Sequence, residues 1–349
     1  MAIIKRKKRV SFQNSLIFKK RDLMILYLLA IIIGFVILVW SADKFVDGAA
    51  STAKHLGMPS LLIGILIVGF GTSAPEMVVS AIAAMEGNPA LALGNALGSN
   101  IVNVALILGI TAIVAPITVN SKIVKKEIPL LLIIVLFSGY LLLDRTLSFN
   151  EGIILLFGFF SLIGWSIFAA IKGKGDSLES EVEDELVEID LTLKAGIFWL
   201  IIGIILLIAS SRLLVWGAVG VAQDFGVSDL IIGLTIIALG TSLPELAASV
   251  VAVRKGEHDI AIGNIVGSNM FNILAVIGIA TIIAPMNNIP SEVLQRDWLV
   301  MIALTIALLI MAYGFKKKAG KITRSEGTFL VLCYVIYNTY LGITLTGSL

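Results

Sequence analysis

Uncharged apolar runs separated by short polar stretches recur along all 349 residues of the chain. Each run is long enough to cross about 30 Å of hydrocarbon as a helix. The pattern predicts spans near 23–41, 60–85, 90–114, 128–143, 152–171, 195–211, 230–253, 260–284, 298–315 and 326–345. The expected architecture is therefore an all-α integral membrane protein of ten transmembrane helices.

Sliding the sequence against itself by 169 residues aligns the two halves without a gap. Between Gly64–Pro116 and Gly233–Pro285, 22 of 53 positions are identical. The identities gather in GTS-x-PE at 71–76 and 240–245, GN at 94–95 and 263–264, and GSN-x-x-N at 98–103 and 267–272. Five spans per half is an odd number, so the second half must enter the membrane from the opposite side. That is the inverted-repeat plan of secondary transporters, in which ions bind near the midplane where the repeats meet. The expected organisation is a basic tail over 1–22, a first five-helix repeat over 23–171, a solvated acidic connection over 172–194 and an inverted second repeat over 195–349.

Composition agrees with the pattern. The chain is 58% hydrophobic and 14% charged, with a mean hydropathy of +1.01, whereas soluble domains are roughly half apolar and a quarter charged. A net charge of +2 says nothing useful about a partner; the lipid bilayer is expected to surround the chain, with no nucleic acid and no protein partner. The single Cys333 excludes an intramolecular disulfide framework and a cysteine metal cluster. The first apolar run is too long for a cleavable signal peptide and lacks an obvious cleavage site.

Fifteen of the 26 basic residues fall in the loops expected between spans 1–2, 3–4, 5–6, 7–8 and 9–10, which places those loops in the cytoplasm. The eight basic residues of the tail would then lie outside, a conflict that translation from Met24 would remove.

Two spans carry their own interruption. Pro75 removes an N–H and crowds the carbonyl of Gly71, and Pro244 does the same to Gly240. In lipid, a freed carbonyl persists only where protein, water or an ion satisfies it. Thr72, Glu76 and Ser80 recur at i, i+4, i+8, as do Thr241, Glu245 and Ser249, so each set lines one helix face. Asn95, Ser99 and Asn103, matched by Asn264, Ser268 and Asn272, repeat the spacing in the following helices. These oxygen-rich stripes contain no His or Cys, which disfavours zinc or copper and suits sodium or calcium. Asn95, Asn100, Asn264 and Asn269 also fit plain hydrogen bonding between packed helices, and Ser80 and Ser249 fit either role.

A carboxylate at the bilayer centre costs at least about 2.5–3.5 kcal/mol. Two facing one cavity are tolerable with two positive charges between them: one calcium, two sodium ions or two protons. If the protein rearranges only when the pair is neutralised, it exchanges cations and does not leak them. Asp43 and Arg212 read as helix-end anchors, His55 and His258 as surface residues near span ends, and Asp144-Arg145 as a short loop. The GKGD at 173–176 is a chance match to a protease pattern, and the chain has no P-loop for ATP. The expected protein is a transporter and no enzyme, and it needs no cofactor beyond its transported ions.

The paired GTS-x-PE and GSN-x-x-N blocks resemble the alpha-repeats of the calcium/cation antiporter superfamily, and are similar in particular to prokaryotic sodium/calcium exchangers, from Met24 onward. The resemblance implies spans 2, 3, 7 and 8 as a tight core across which spans 1 and 6 slide. It implies Glu76 and Glu245 as ligands shared by calcium and sodium, with backbone carbonyls of Thr72 and Thr241 at the calcium site. Gly69, Ser73 and Ser268 would help form one sodium site, and Ala238, Ser242 and Ser99 its mirror image. Asn103 and Asn272 would complete the middle. Some relatives carry aspartate at the position of Asn272, and an acidic residue there is linked to potassium, so asparagine in both repeats implies no potassium requirement. The expectation is sodium/calcium exchange in the plasma membrane by alternating access. Calcium/proton antiport is the alternative, and a passive channel fits the repeat plan poorly.

Overall fold

A computed structural model describes residues 2–57, 60–119, 124–172, 191–225, 238–313 and 320–345. The acidic run of the connection and the opening of the seventh predicted span, 230–237, lie outside them. The chain is nearly all helical. Helix α1 (Ala2–Leu56) is followed by a bent pair, α2 (Gly64–Thr72) and α3 (Ala74–Met85), and by α4 (Pro89–Val114). Then come α5 (Val124–Leu141), α6 (Phe149–Lys172) and α7 (Leu193–Asp224). A second broken pair is α8 (Ala238–Thr241) and α9 (Leu243–Arg254), followed by α10 (His258–Ile283), α11 (Val293–Ala312) and α12 (Arg324–Leu345). Among the described residues, six helices are long and apolar enough to cross a membrane, or seven if α2 and α3 form one span.

Burial separates two kinds of helix. The most apolar windows of α4 and α10 are 72% and 89% buried inside the protein, against 17–28% for α1, α6, α7 and α11. The outer helices turn large apolar side chains outward, such as Phe35, Phe157, Trp165 and Ile201, as a lipid-facing surface requires. The inner helices touch at small residues. A Cβ on Gly267 of α10 would stand 2.8 Å from the Cα of Ile65 in α2, so only glycine permits that approach, which small residues provide where helices pack without a hydrophobic driving force.

The helix break expected at Pro75 is present. The axis turns by 46° between α2 and α3, with Ser73 at the corner (φ −80°, ψ 0°) and Pro75 in the first turn of α3, where a missing N–H does no harm. Pro244 occupies the same place in α9. Both inner helices also contain a π-helical stretch, Val102–Leu108 in α4 and Asn272–Ile277 in α10, at equivalent repeat positions. Such stretches are rare and cluster at functional sites.

Three expectations need correction. The chain is not purely α: β1 (Ile117–Val119) and β2 (Gly320–Ile322) form an antiparallel pair with Ile117 opposite Ile322. A single bridge joins Leu147 to Met286, and Met286 is the repeat counterpart of Ile117. The stretch leaving the third span of each half is thus stitched to the stretch before the last span of the other half.

The second correction concerns length. The spans expected to end at 41 and 211 continue as helix to Leu56 and Asp224. Asp43 and Asp47 look like a membrane boundary in the sequence. In the fold Lys255, just beyond α9, lies 2.6 Å from a carboxylate oxygen of each, so the helix carries the charges and continues with buried Phe45, Val46, Ala49, Ala50 and Ala53. Asp43 and Arg212 are therefore interior helix residues and not end anchors. The third is His258, half-buried as the first residue of α10; His55 is exposed as expected. The loop reading of Asp144 and Arg145 holds, with Arg145 in a left-handed turn (φ 60°) and its Nε donating to the Ile289 carbonyl at 2.8 Å.

Candidate ion-binding site

The helix breaks put Ser73 and Ser242 at corners, with each glutamate three residues further on in the first turn of the next helix. Glu76 and Glu245 are each 1% exposed. The bonds between them are crossed: the Ser73 hydroxyl donates to Oε1 of Glu245 at 3.3 Å, and the Ser242 hydroxyl donates to Oε1 of Glu76 at 3.3 Å. Each half therefore holds the other's carboxylate, and the two acids meet between the repeats. Their second oxygens, Oε2 in both, are buried with no hydrogen-bond partner among the described residues.

Around them the polar stripes interlock. Thr72 is fully buried, and its hydroxyl lies 3.0 Å from the Val68 carbonyl and 3.0 Å from Oδ1 of Asn264. Thr241, its counterpart, is half-buried. Asn264 donates to the Glu245 carbonyl at 3.1 Å and to the Ser249 hydroxyl at 2.8 Å. Asn95 donates to the Ser80 hydroxyl at 3.0 Å. Ser80 and Ser249 thus serve inter-helix hydrogen bonds to the asparagines. Ser268 is buried, with its hydroxyl 3.4 Å from the Gly69 carbonyl. A Cβ on Gly69 would stand 3.1 Å from the Ser268 nitrogen, so glycine lets α2 and α10 meet there. Ser99 is buried as well, and Ala238, the counterpart of Gly69, lies in α8.

Asn103 and Asn272, each 1% exposed, lie in the first two residues of the π-helical stretches. Asn103 donates through Nδ2 to Oδ1 of Asn269 at 3.0 Å, and Asn272 donates through Nδ2 to Oδ1 of Asn100 at 3.1 Å. The Oδ1 atoms of Asn103 and Asn272 have no partner among the described residues. Four buried, unpartnered oxygens, two carboxylate and two amide, thus come in equal number from each half. A buried polar atom without a partner costs about 1–3 kcal/mol, and such a set is suited to a hard cation that takes oxygen ligands.

One residue escaped the sequence reading. Ser211 in α7 donates its hydroxyl to the carbonyl of Gly240 at 2.7 Å. Gly240 is the carbonyl released by Pro244, so a protein hydroxyl, and not a cation alone, satisfies it. The available signal was a serine in an otherwise apolar span, which usually marks a contact between helices. Asn100 and Asn269, whose role was open between packing and binding, bridge the repeats directly.

A family model described as sodium/calcium exchanger protein matches residues 26–168 and 195–342. The chain is 47% identical over 315 residues to CaxA of Alkalimonas amylolytica, covering 90% of this chain and 98% of that one. It is 38% identical over 319 residues to the inner membrane protein YrbG of Escherichia coli (strain K12), with 90% and 96% covered. Among solved structures, that of the sodium-calcium exchanger NCX_Mj matches with a TM-score of 0.77 at 29% identity, covering 90% of this chain and 99% of the other.

Proposed function

Because this chain belongs to the sodium/calcium exchanger protein family, we propose that it is a multi-pass antiporter of the cell membrane that exchanges sodium for calcium at one midplane site. The observation that carries the reading is the crossed pair of bonds, Ser73 to Glu245 and Ser242 to Glu76. It supports a site to which each half contributes one carboxylate. In this reading ten spans form two inverted repeats, and the reciprocal contacts, each carried into the other by the 169-residue shift, support that arrangement.

Glu76 and Glu245 are the charged ligands. Thr72 and Thr241 contribute backbone carbonyls, and Asn103 and Asn272 contribute amide oxygens. Ser73 and Ser268 with the Gly69 carbonyl serve one flanking sodium, and Ser242 and Ser99 with the Ala238 carbonyl serve the other. Two carboxylates match the charge of one calcium or two sodium ions, and a pair left bare at membrane depth carries a penalty of several kcal/mol. Reorientation without cations is then disfavoured, which couples outward movement of one ion to inward movement of the other. Neither a cofactor nor a protein partner enters this scheme.

Calcium-45 uptake into proteoliposomes tests it. An outward sodium gradient at equal pH on both sides should drive uptake. Uptake driven by a pH gradient and indifferent to sodium would replace this reading with calcium/proton antiport.

A further inference from the structure

The four unpartnered oxygens of the proposed site are of two kinds. A carboxylate offers an oxygen in either orientation, but an asparagine amide offers an oxygen in one orientation and an NH₂ in the other. At Asn103 and Asn272, a half-turn about the last side-chain bond would replace an acceptor with two N–H donors. Something must therefore hold each amide with its oxygen free. The crossed bonds do this. Asn269 presents Oδ1 to Nδ2 of Asn103 at 3.0 Å, and Asn100 presents Oδ1 to Nδ2 of Asn272 at 3.1 Å. With the NH₂ group engaged, Oδ1 is the polar atom left over, and in both residues it is buried and unpartnered among the described residues.

Asn100 is itself anchored. Asn100 donates through Nδ2 to the Asn269 backbone carbonyl at 3.2 Å and lies 3.4 Å from Sδ of Met301 in α11. These contacts use its donors, so its own Oδ1 faces the other repeat as an acceptor. Asn100 and Asn269 are 1% exposed.

We propose that Asn100 and Asn269 are positioning residues, each locking the central asparagine of the opposite repeat with its carbonyl oxygen toward the transported cation. This rests on the cation site proposed above. Neither residue touches the ion in this scheme; each acts through Asn272 or Asn103. Outer partners of this kind typically alter metal affinity about 10–100-fold when removed.

The test uses full-length protein and calcium-45, measuring equilibrium binding in detergent and half-saturating calcium with maximal rate in proteoliposomes. Asn269→Leu keeps the number and branching of the side-chain heavy atoms but removes the acceptor. It should raise the dissociation constant and the half-saturating calcium at least about 10-fold, with a smaller change in maximal rate. Asn100→Leu should do the same through Asn272, and reads the mirror contact if one variant fails to fold. The decisive readout is a double-mutant cycle with Asn103→Asp, because a carboxylate at 103 offers oxygen however it is turned. Asn269→Leu added to Asn103→Asp should cost less than about a third of what it costs in the wild type, whereas a packing role would cost the same in both backgrounds. Equal losses in the two backgrounds, or wild-type affinity in the single variants, would overturn the positioning role alone. A wild-type protein that binds neither calcium nor sodium would overturn the site itself.

Discussion

Ser211 and Gly240 are joined across two helices: the serine hydroxyl of α7 donates to the glycine carbonyl of α8 at 2.7 Å. Pro244 has removed that carbonyl's own helical donor. The neighbouring Ser210 instead donates to the Leu207 carbonyl of its own helix, where an N–H also competes for the acceptor. Ser211→Ala should therefore lower stability by about 1 kcal/mol, the scale of one buried hydrogen bond in a helical membrane protein. Ser210→Ala should leave it nearly unchanged. Thermal unfolding in detergent distinguishes them, and equal melting points for the two variants would refute the assignment.

Lys255 ties the end of α9 to α1 through Asp43 and Asp47, both at 2.6 Å. All three side chains are partly exposed, at 23%, 42% and 20%, so solvent screens the pair. Lys255→Met should cost no more than about 1 kcal/mol. Raising the salt to 1 M should bring the wild-type melting point toward that of the variant and move the variant little. A salt-independent difference would mean that Lys255 acts through packing of its stem.

Asparagine stands at both 103 and 272, so the site proposed above draws on two carboxylates and on no third acid among the described residues. Replacing potassium by choline on both sides of the vesicle should leave sodium-driven calcium uptake unchanged. Uptake that requires potassium would point to a further cation ligand outside this set.

Much of this was legible in the sequence, for physical reasons. Every predicted span overlaps a helix of the described residues, and six or seven of those helices are long and apolar enough to cross a membrane. The repeat marked Glu76, Glu245 and their polar neighbours, because a carboxylate placed twice at membrane depth has few structural uses. What escaped depends on contacts between distant residues. Helix α1 continues past Asp43 and Asp47 to Leu56, and Asp47 meets Lys255, 208 residues further along the chain, a contact no local pattern reveals. Strands β1 and β2 are three residues each, too short for any periodicity. The exchange of amide bonds among Asn100, Asn103, Asn269 and Asn272 exists only once the two halves are folded together.

A calcium count per chain tests most directly whether the two halves build one site. Equilibrium calcium-45 binding should give one ion per wild-type chain, displaced by sodium. Glu76→Gln and Glu245→Gln each remove one of the two charges while keeping the side chain's shape, and each should weaken binding at least about 100-fold, since calcium affinity follows ligand charge. Either variant binding calcium with wild-type affinity, or each retaining half of the sites, would contradict a single site shared by Glu76 and Glu245.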